Sequence, residues 1–305
     1  MSLKNKIKNI LNRLIRHSYW YQNILFPDCA KFWKHNTFNL DVINLGSSSG
    51  KYAFNYDKQS IKAANWAMGP QTLVADFEIL RNYSTYLKDQ NAIVLIPLCP
   101  FSCLGGSCLY MPDKYYTILN FASIPQGNYK KAKEIKYIQQ NPLMYFPLIA
   151  LISEIKHLFK KKKNIKMNEG QMQANAEEFM KGWMFEFSIM DFKDELILKN
   201  KDAYEDSVKI LSDMIDFCLS RNIRPVLVLP PVTKYLAEKF TPEMLQLFVY
   251  DFVKKANKQS ITFLDYWNDP DFLDISYFQN SFFLNYIGAQ KFTAKLLNDL
   301  KMLRN

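Results

Sequence analysis

The sequence predicts a doubly wound α/β fold, a three-layer sandwich with a parallel sheet, interrupted by one mainly helical insertion. Two observations predict this class. Several short apolar runs are continuous rather than alternating, which is typical of strands covered on both faces. Segments with helical spacing of apolar residues lie between these runs, so that strand and helix alternate through most of the chain. A chain of 305 residues is long enough to bury the core that such a fold needs.

The strands and helices of the predicted sheet follow one another in a regular order. Buried strands are predicted at 41–45, 92–98, 225–229 and 261–264, with a further one near 61–64. Helices are predicted at 70–88, 204–221, 242–257 and 286–303. Thr241 and Pro242 mark the start of the third of these helices, as N-cap and first helical residue. Together the elements indicate a five-stranded parallel sheet with helices on both faces.

Two further segments do not fit the alternation. Residues 110–182 are too long for an ordinary connection, and we predict a mainly helical insertion there that covers the C-terminal edge of the sheet. Residues 1–37 are predicted to form a separate basic amphipathic segment, whose apolar spacing suits an interfacial helix and a helix packed on its own domain equally well. The remainder, 38–305, is predicted to be the α/β domain.

The net charge of +10 is concentrated in two places. Residues 1–34 contain seven basic residues and one acidic residue, and residues 130–166 contain ten lysines and two glutamates. Because the rest of the chain is mildly acidic, this pattern argues against a basic scaffold for nucleic acid, and no nucleic-acid partner is expected. Solvated helix faces and contact with an anionic membrane surface both stay open. The membrane contact is expected through Lys160, Lys161, Lys162 and Lys163.

Cysteine spacing and apolar run length indicate the compartment. The five cysteines have no C-x-x-C spacing, so buried thiols in a reducing environment are expected rather than a zinc site. No apolar run reaches the roughly 18 to 20 residues of a membrane-spanning helix. We therefore expect a cytoplasmic protein, with peripheral attachment to the inner face of the membrane as an option. No metal and no cofactor are expected.

A serine-rich loop follows the first predicted strand and has the sequence Gly46-Ser47-Ser48-Ser49-Gly50. Doubly wound proteins bind their ligands at this edge of the sheet. The spacing excludes a phosphate loop, because three residues rather than four separate Gly46 from Gly50. The loop matches the G-x-S-x-G pattern of a nucleophile elbow with Ser48 at its centre, and a purely structural serine-rich turn is the alternative.

The C-terminal block 278–292 resembles the terminal block of the SGNH/GDSL hydrolases, in which D-x-x-H-L-N precedes Gly-Ala and a helix. Asn65-x-x-x-Gly69 and Pro230-Pro231 extend this resemblance, which covers about 38–105 and 183–300 in the family's block order. The chain is similar to the branch that includes the D-alanine-transfer protein of lipoteichoic acid synthesis and O-acyl-modifying proteins of cell-surface polysaccharides. A flavodoxin-like sheet is implied.

The resemblance also implies roles for individual residues. Ser48 would be the nucleophile, and the backbone N–H groups of Ser48 and Gly69 would line an oxyanion hole. Two positions depart from the family, since Asn280 stands in place of its Asp and Phe283 in place of its His. Loss of the histidine from a triad costs on the order of 10⁶ in turnover. The other groups that could supply a base are His17, His35, His157, Asp265, Asp269, Asp271 and Asp274.

Two functions therefore stay open at this point. The first is a serine esterase or acyltransferase that acts on acylated cell-surface glycans, or on an acylated small molecule, with impaired catalysis or an unusual base. The second is a non-catalytic SGNH-like protein that binds a glycan in surface-polysaccharide assembly. Labelling by a fluorophosphonate distinguishes them, because this probe reacts only with an activated serine. The suggestion of a glycan comes from the family resemblance alone.

Overall fold

A computed structural model describes residues 3–34, 37–105, 111–159, 167–189 and 200–302. The chain divides into two compact units. We call Met1–Asn36 with Met111–Asn164 the helical unit, and Thr37–Tyr110 with Ile165–Asn305 the sheet unit. The predicted basic segment thus shares a unit with most of the predicted insertion. The four lysines at 160–163, through which membrane contact is predicted, lie outside the described residues.

The sheet unit contains a five-stranded parallel sheet, which confirms the predicted α/β class. Its strands are β1 (Val42–Asn44), β2 (Ala63–Asn65), β3 (Ile93–Pro97), β4 (Arg224–Leu229) and β5 (Phe263–Asp265). Their order is β2-β1-β3-β4-β5, the flavodoxin-like order. The chain changes direction across the sheet after β2, so the switch point lies between β1 and β3. Open α/β sheets form their binding crevice at this point, beyond the carboxyl ends of the strands.

Helices cover both faces of the sheet. In chain order they are α3 (Ser48–Ala53), α4 (Leu73–Tyr83), α7 (Glu169–Glu186), α8 (Lys201–Leu219), α9 (Lys234–Ala237), α10 (Pro242–Leu245), α11 (Asp251–Ala256) and α12 (Tyr286–Met302). On one face, α3 and α12 pack over a core that includes Val42, Leu95, Val226 and Phe292. On the other face, α4 and α11 pack against α8. The result is a three-layer sandwich.

Local capping explains where several of these helices begin. The hydroxyl of Thr241 accepts from Met244 N at 3.3 Å, with Pro242 in the first turn, as predicted. Asn285 Oδ1 accepts from the N–H groups of Ile287 and Gly288 at 3.0 Å each, which caps α12. Gly288 is required because an added Cβ would overlap the carbonyl oxygen of Tyr277.

The helical unit contains α1 (Leu3–Arg16), α2 (Ala30–Trp33), α5 (Tyr129–Gln140) and α6 (Leu148–Phe159). The side chain of Glu154 in α6 accepts hydrogen bonds from the backbone N–H groups of Tyr19 and Trp20, at 3.0 and 2.6 Å. The His157 ring stacks on Tyr19, with 4.0 Å between ring centroids. These contacts join the two chain segments of the unit. Within the described residues, no helix has the length and apolar content to cross a membrane.

Candidate functional site

A cavity of about 860 Å³ lies at the switch point of the sheet unit, where β1 and β3 end. Polar groups from the β1 loop and from the start of α4 form one part of its lining, namely Ser47, Ser48, Ser49, Gln71, Thr72 and Asp76. Aromatic rings form another part, namely Phe101, Phe179, Trp183, Phe187, Phe282 and Phe283. A space of this size, with a few polar groups and a mainly aromatic wall, is typical of a site for a small organic ligand.

The loop after β1 turns sharply at Gly46. This residue has φ +108°, and an added Cβ would stand 2.5 Å from Cγ of Pro97 in β3, so only glycine fits here. The turn leads directly into α3, for which Ser47 is the N-cap and Ser48 the first residue. Ser47 Oγ accepts a hydrogen bond from Gln71 N at 3.1 Å. This bond ties the serine loop to the segment before α4.

Ser48 and Gly69, the two residues assigned to the oxyanion hole by resemblance, are in direct contact. An added Cβ at Gly69 would overlap Ser48 Oγ. The N–H of Ser48 belongs to the first turn of α3, where backbone N–H groups have no acceptor within the helix. Glycine at 69 therefore leaves room for the Ser48 hydroxyl.

Replacing Gly69 with Ala tests this approach. We expect Gly69→Ala to lower the free energy of unfolding by about 0.5 to 1 kcal/mol, because the new methyl group forces the Ser48 hydroxyl out of its present rotamer. Urea denaturation measures the change. Gly182→Ala is the matched control, since nothing lies within 4 Å of its added Cβ and alanine raises stability inside α7. Equal effects of both substitutions would contradict the close contact.

Asp76 connects the two loops that carry Ser48 and Gly69. The carboxylate is buried, and its Oδ1 accepts from Gly46 N at 2.7 Å and from Nε2 of Gln71. Gln71 Oε1 in turn accepts from Met68 N at 3.0 Å. Burial raises the pKa of Asp76 to about 8, although the hydrogen bond from Gly46 opposes the shift. The Asp76 side chain is therefore mostly neutral at pH 7.

Asn65, which contributes to the family resemblance, has a structural role. Asn44 Nδ2 donates to Asn65 Oδ1 at 3.0 Å, and Asn65 Nδ2 donates to the carbonyl oxygens of Lys51 and Phe54 at 3.2 and 3.1 Å. The two amide side chains thus connect the ends of β1 and β2 with α3. Asn65 does not belong to the cavity lining given by the described residues. It holds α3 in place against the sheet and so positions Ser48.

The terminal block brings Phe283 close to the helix of Ser48. The Phe283 ring packs against Tyr52 at 4.9 Å between centroids and against Phe179 at 5.7 Å. Tyr52 lies one helical turn after Ser48 in α3. Asn280 acts in this block as a turn cap, because its Oδ1 accepts from the N–H groups of Phe282 and Phe283 at 3.0 and 2.7 Å.

No histidine lines this cavity among the residues that the structure describes. The sheet unit has no histidine in its sequence, from 37 to 110 or from 165 to 305. His17 and His157 belong to the helical unit, and His35 lies outside the described residues. The proposal that one of them supplies the base gains no support from the geometry of the sheet unit.

The four aspartates considered as substitute bases are engaged elsewhere. Asp265 accepts from Tyr250 OH at 2.7 Å, and Asp274 accepts from Ser276 N at 2.8 Å. Asp269 and Asp271 both pair with Lys295, at 3.2 and 2.5 Å. None of the four belongs to the cavity lining found among the described residues. As bases for Ser48 they are misplaced, because Asp265 ends β5 and the other three lie between β5 and α12.

Helix α7 supplies aromatic residues that the sequence pattern did not single out. Phe179 and Trp183 lie one turn apart, and the Trp183 ring meets Phe282 edge to face at 5.1 Å. Asn175, one turn earlier, accepts from the N–H and hydroxyl groups of Ser281 at 3.1 and 2.9 Å. The spacing of 175, 179 and 183 indicates one face of a helix, yet only the fold shows that this face meets the terminal block.

Cys99 also lines the cavity, with its Sγ 3.4 Å from Ser102 Oγ. Burial raises the pKa of this thiol, so it is protonated at neutral pH and is a weak nucleophile. The four described cysteines, Cys29, Cys99, Cys103 and Cys218, are free thiols. Across the described ranges, no group of three or more His, Cys, Asp and Glu side chains has a metal-binding arrangement.

Comparison with known proteins adds little to this geometry. No family model matches the chain, and no curated protein matches it. Among solved structures, protein YxiM from Bacillus subtilis is similar over 88% of this chain, with a TM-score of 0.38 and 12% sequence identity. The chain spans 57% of the length of that protein. This likeness is too weak to carry a function from one protein to the other.

Proposed function

We propose that the sheet unit is a non-catalytic binding protein of SGNH-like architecture, and that its cavity binds an acylated carbohydrate. The observation that carries this proposal is the position of Phe283. Its ring packs on Tyr52 and Phe179 where the family has its histidine, so an apolar surface replaces the general base. A serine without a base has little nucleophilic power at neutral pH.

The lining of the cavity fits both the apolar and the polar groups of an acylated carbohydrate. The rings of Phe179, Trp183 and Phe283 offer apolar faces on which an acyl chain or the C–H face of a sugar can pack. Ser47, Ser48 and other polar groups of the lining offer hydrogen-bond donors and acceptors for hydroxyl and carbonyl groups. The glycan itself is proposed from the family resemblance.

A serine esterase or acyltransferase is the second candidate. The contact between Ser48 and Gly69 favours it, because the two residues assigned to an oxyanion hole lie next to each other. The two candidates differ in whether the ester bond of a bound ligand breaks.

Glucose pentaacetate tests both candidates with one compound, since it is a carbohydrate that carries ester-linked acyl groups. We expect calorimetric titration to show binding without release of acetate. Phe179→Ala is expected to weaken binding by about 10-fold to 200-fold, the usual effect of removing an apolar contact in a pocket. Phe185→Ala is the matched control, because Phe185 lies in the same helix but is exposed and outside the cavity lining.

Three results would contradict the proposal. The first is an absence of binding by the folded wild-type chain. The second is equal affinity of the wild type and Phe179→Ala, which would locate binding outside the cavity. The third is acetate release that disappears in Ser48→Ala, which would favour the esterase.

A further inference from the structure

Helix α1 of the helical unit is amphipathic, but its apolar face is exposed. Leu3, Ile7, Ile10 and Leu14 recur at intervals of three and four residues and so share one face of the helix. In a helix packed on its own domain, this face is buried. Here the exposed fraction is 73% for Leu3, 59% for Ile10 and 62% for Leu14.

The opposite, polar face of α1 makes the contacts with the unit. Asn12 is buried, and its Oδ1 accepts from Leu143 N at 2.9 Å. Arg16, one turn further on, donates from Nη2 to the carbonyl oxygen of Gln140 at 2.6 Å. The helix is therefore attached through polar groups, which leaves its apolar face available to another surface.

The charges along the exposed face have one sign. Lys4, Lys6, Lys8 and Arg13 flank the apolar residues, and the sequence has no acidic residue before Asp28. Within the described parts of the chain, no carboxylate forms an ion pair with any of these four side chains. A basic margin around an exposed apolar stripe complements an anionic surface that also has an apolar interior.

A second feature of the same unit also favours an anionic partner. A cavity of about 560 Å³ opens at the C-terminal end of α1, and its lining includes Arg13, Arg16, His17 and Lys34. Arg13 follows Ile10 by three residues, so the basic lining of the cavity borders the apolar stripe. Negatively charged headgroups would meet cationic side chains here.

We propose that α1 docks on an anionic lipid bilayer and lies in the plane of its interface. Leu3, Ile7, Ile10 and Leu14 insert among the upper parts of the acyl chains, and the surrounding lysines and arginines contact the lipid headgroups. A spanning orientation is not needed, and α1 with its 14 residues is too short for one. This docking goes beyond the proposed ligand binding, since it uses neither Ser48 nor the cavity of the sheet unit.

Cosedimentation of the full chain with lipid vesicles tests the docking. We expect binding to vesicles of phosphatidylcholine with phosphatidylglycerol, and much weaker binding to phosphatidylcholine alone or at high salt. Ile7→Gln/Ile10→Gln/Leu14→Gln should lower the partition coefficient on the order of 100-fold, through lost apolar insertion. Lys4→Gln/Lys6→Gln/Lys8→Gln should also lower it on the order of 100-fold, and only on anionic vesicles.

Leu273→Gln/Ile287→Gln is the matched control, since these residues are 59% and 64% exposed in the sheet unit. It should bind vesicles like the wild type. Circular dichroism verifies that every variant is folded. Undiminished vesicle binding by the apolar triple variant would overturn the proposal. Failure of the wild-type chain to bind anionic vesicles would also overturn it. If that chain instead formed dimers that the triple variant abolishes, the apolar face would bind a second copy of the chain.

Discussion

Asn280→Asp combined with Phe283→His is expected to raise hydrolysis of p-nitrophenyl acetate on the order of 100-fold or more above the wild type. A positioned general base contributes about 10²-fold to 10⁴-fold to such a reaction. The Phe283 ring packs on Tyr52, which lies one turn after Ser48 in α3, and Phe283 and Ser48 line the same cavity, so an imidazole at 283 would share this cavity with the serine. Initial rates at several pH values measure the gain.

The structure around both positions accommodates these substitutions. An aspartate at 280 can still accept from the N–H groups of Phe282 and Phe283, as the Asn280 amide oxygen does now. Phe283 is half-buried at the edge of the cavity, so a polar ring there keeps access to solvent. The lost contacts with Tyr52 and Phe179 are expected to cost about 1 to 3 kcal/mol of stability.

Ser48→Ala in the double-variant background is the control, and it should remove the whole gain. Urea denaturation shows whether the variants are folded. A folded double variant that is no more active than the wild type would mean that position 283 does not supply a base to Ser48 or that Ser48 and Gly69 do not form an oxyanion hole. The resemblance to the hydrolases would then extend to the fold alone.

Asp76→Asn is expected to make the stability of the chain less dependent on pH. Asp76 has a folded-state pKa of about 8, because burial disfavours its charged form, against about 4 in an unfolded chain. Between these values the folded state holds one more proton than the unfolded state, so the stability due to this group falls as pH rises. From pH 6 to pH 8 the wild type should lose about 2 to 3 kcal/mol, and the variant should not.

Urea denaturation at both pH values measures this difference. The asparagine keeps an oxygen that can accept from Gly46 N and from Gln71, so the loop geometry survives. Asp41→Asn is a contrasting variant, since a hydrogen bond from Lys88 lowers the pKa of Asp41 and its stabilisation is present at high pH and lost in acid. A parallel loss of stability in the wild type and Asp76→Asn would contradict an uncharged Asp76.

The sheet and its binding edge were accessible from sequence because their signals are local. Continuous apolar runs such as 93–97 predict buried parallel strands, and their order places the serine loop at the carboxyl edge of β1. Asn285 as N-cap of α12 follows from its position before a helical pattern. The fold class and the place of Ser48 in it could therefore be predicted.

The sequence does not predict which residues form the cavity wall. Phe179 meets Phe282 at 5.4 Å although more than 100 residues separate them in sequence, and no spacing rule predicts that contact. The burial of Asp76 is partly predictable from the sequence. This residue shares a face of α4 with the buried Leu73 and Leu80, and a carboxylate on an apolar face signals burial with a hydrogen-bonded partner.

The orientation of α1 was also open at the sequence level. Its spacing suits a buried apolar face and an interfacial one equally well, because both have the same period. The contact of Asn12 with Leu143 turns the polar face inward and leaves the apolar face exposed. The two residues belong to the two segments of the helical unit, which are separated in sequence by residues 37–110, so the sequence pattern could not predict this contact.

Reaction of the wild-type chain with a fluorophosphonate tests the central proposal most directly, namely that Ser48 lies in a binding cavity but is not activated. Intact-mass spectrometry measures the covalent adduct, and the Asn280→Asp/Phe283→His variant is the positive control. We predict an adduct on the double variant, lost with Ser48→Ala, and no adduct on the wild type above the level of Ser48→Ala. A wild-type adduct at Ser48 would contradict it, because only an activated serine reacts.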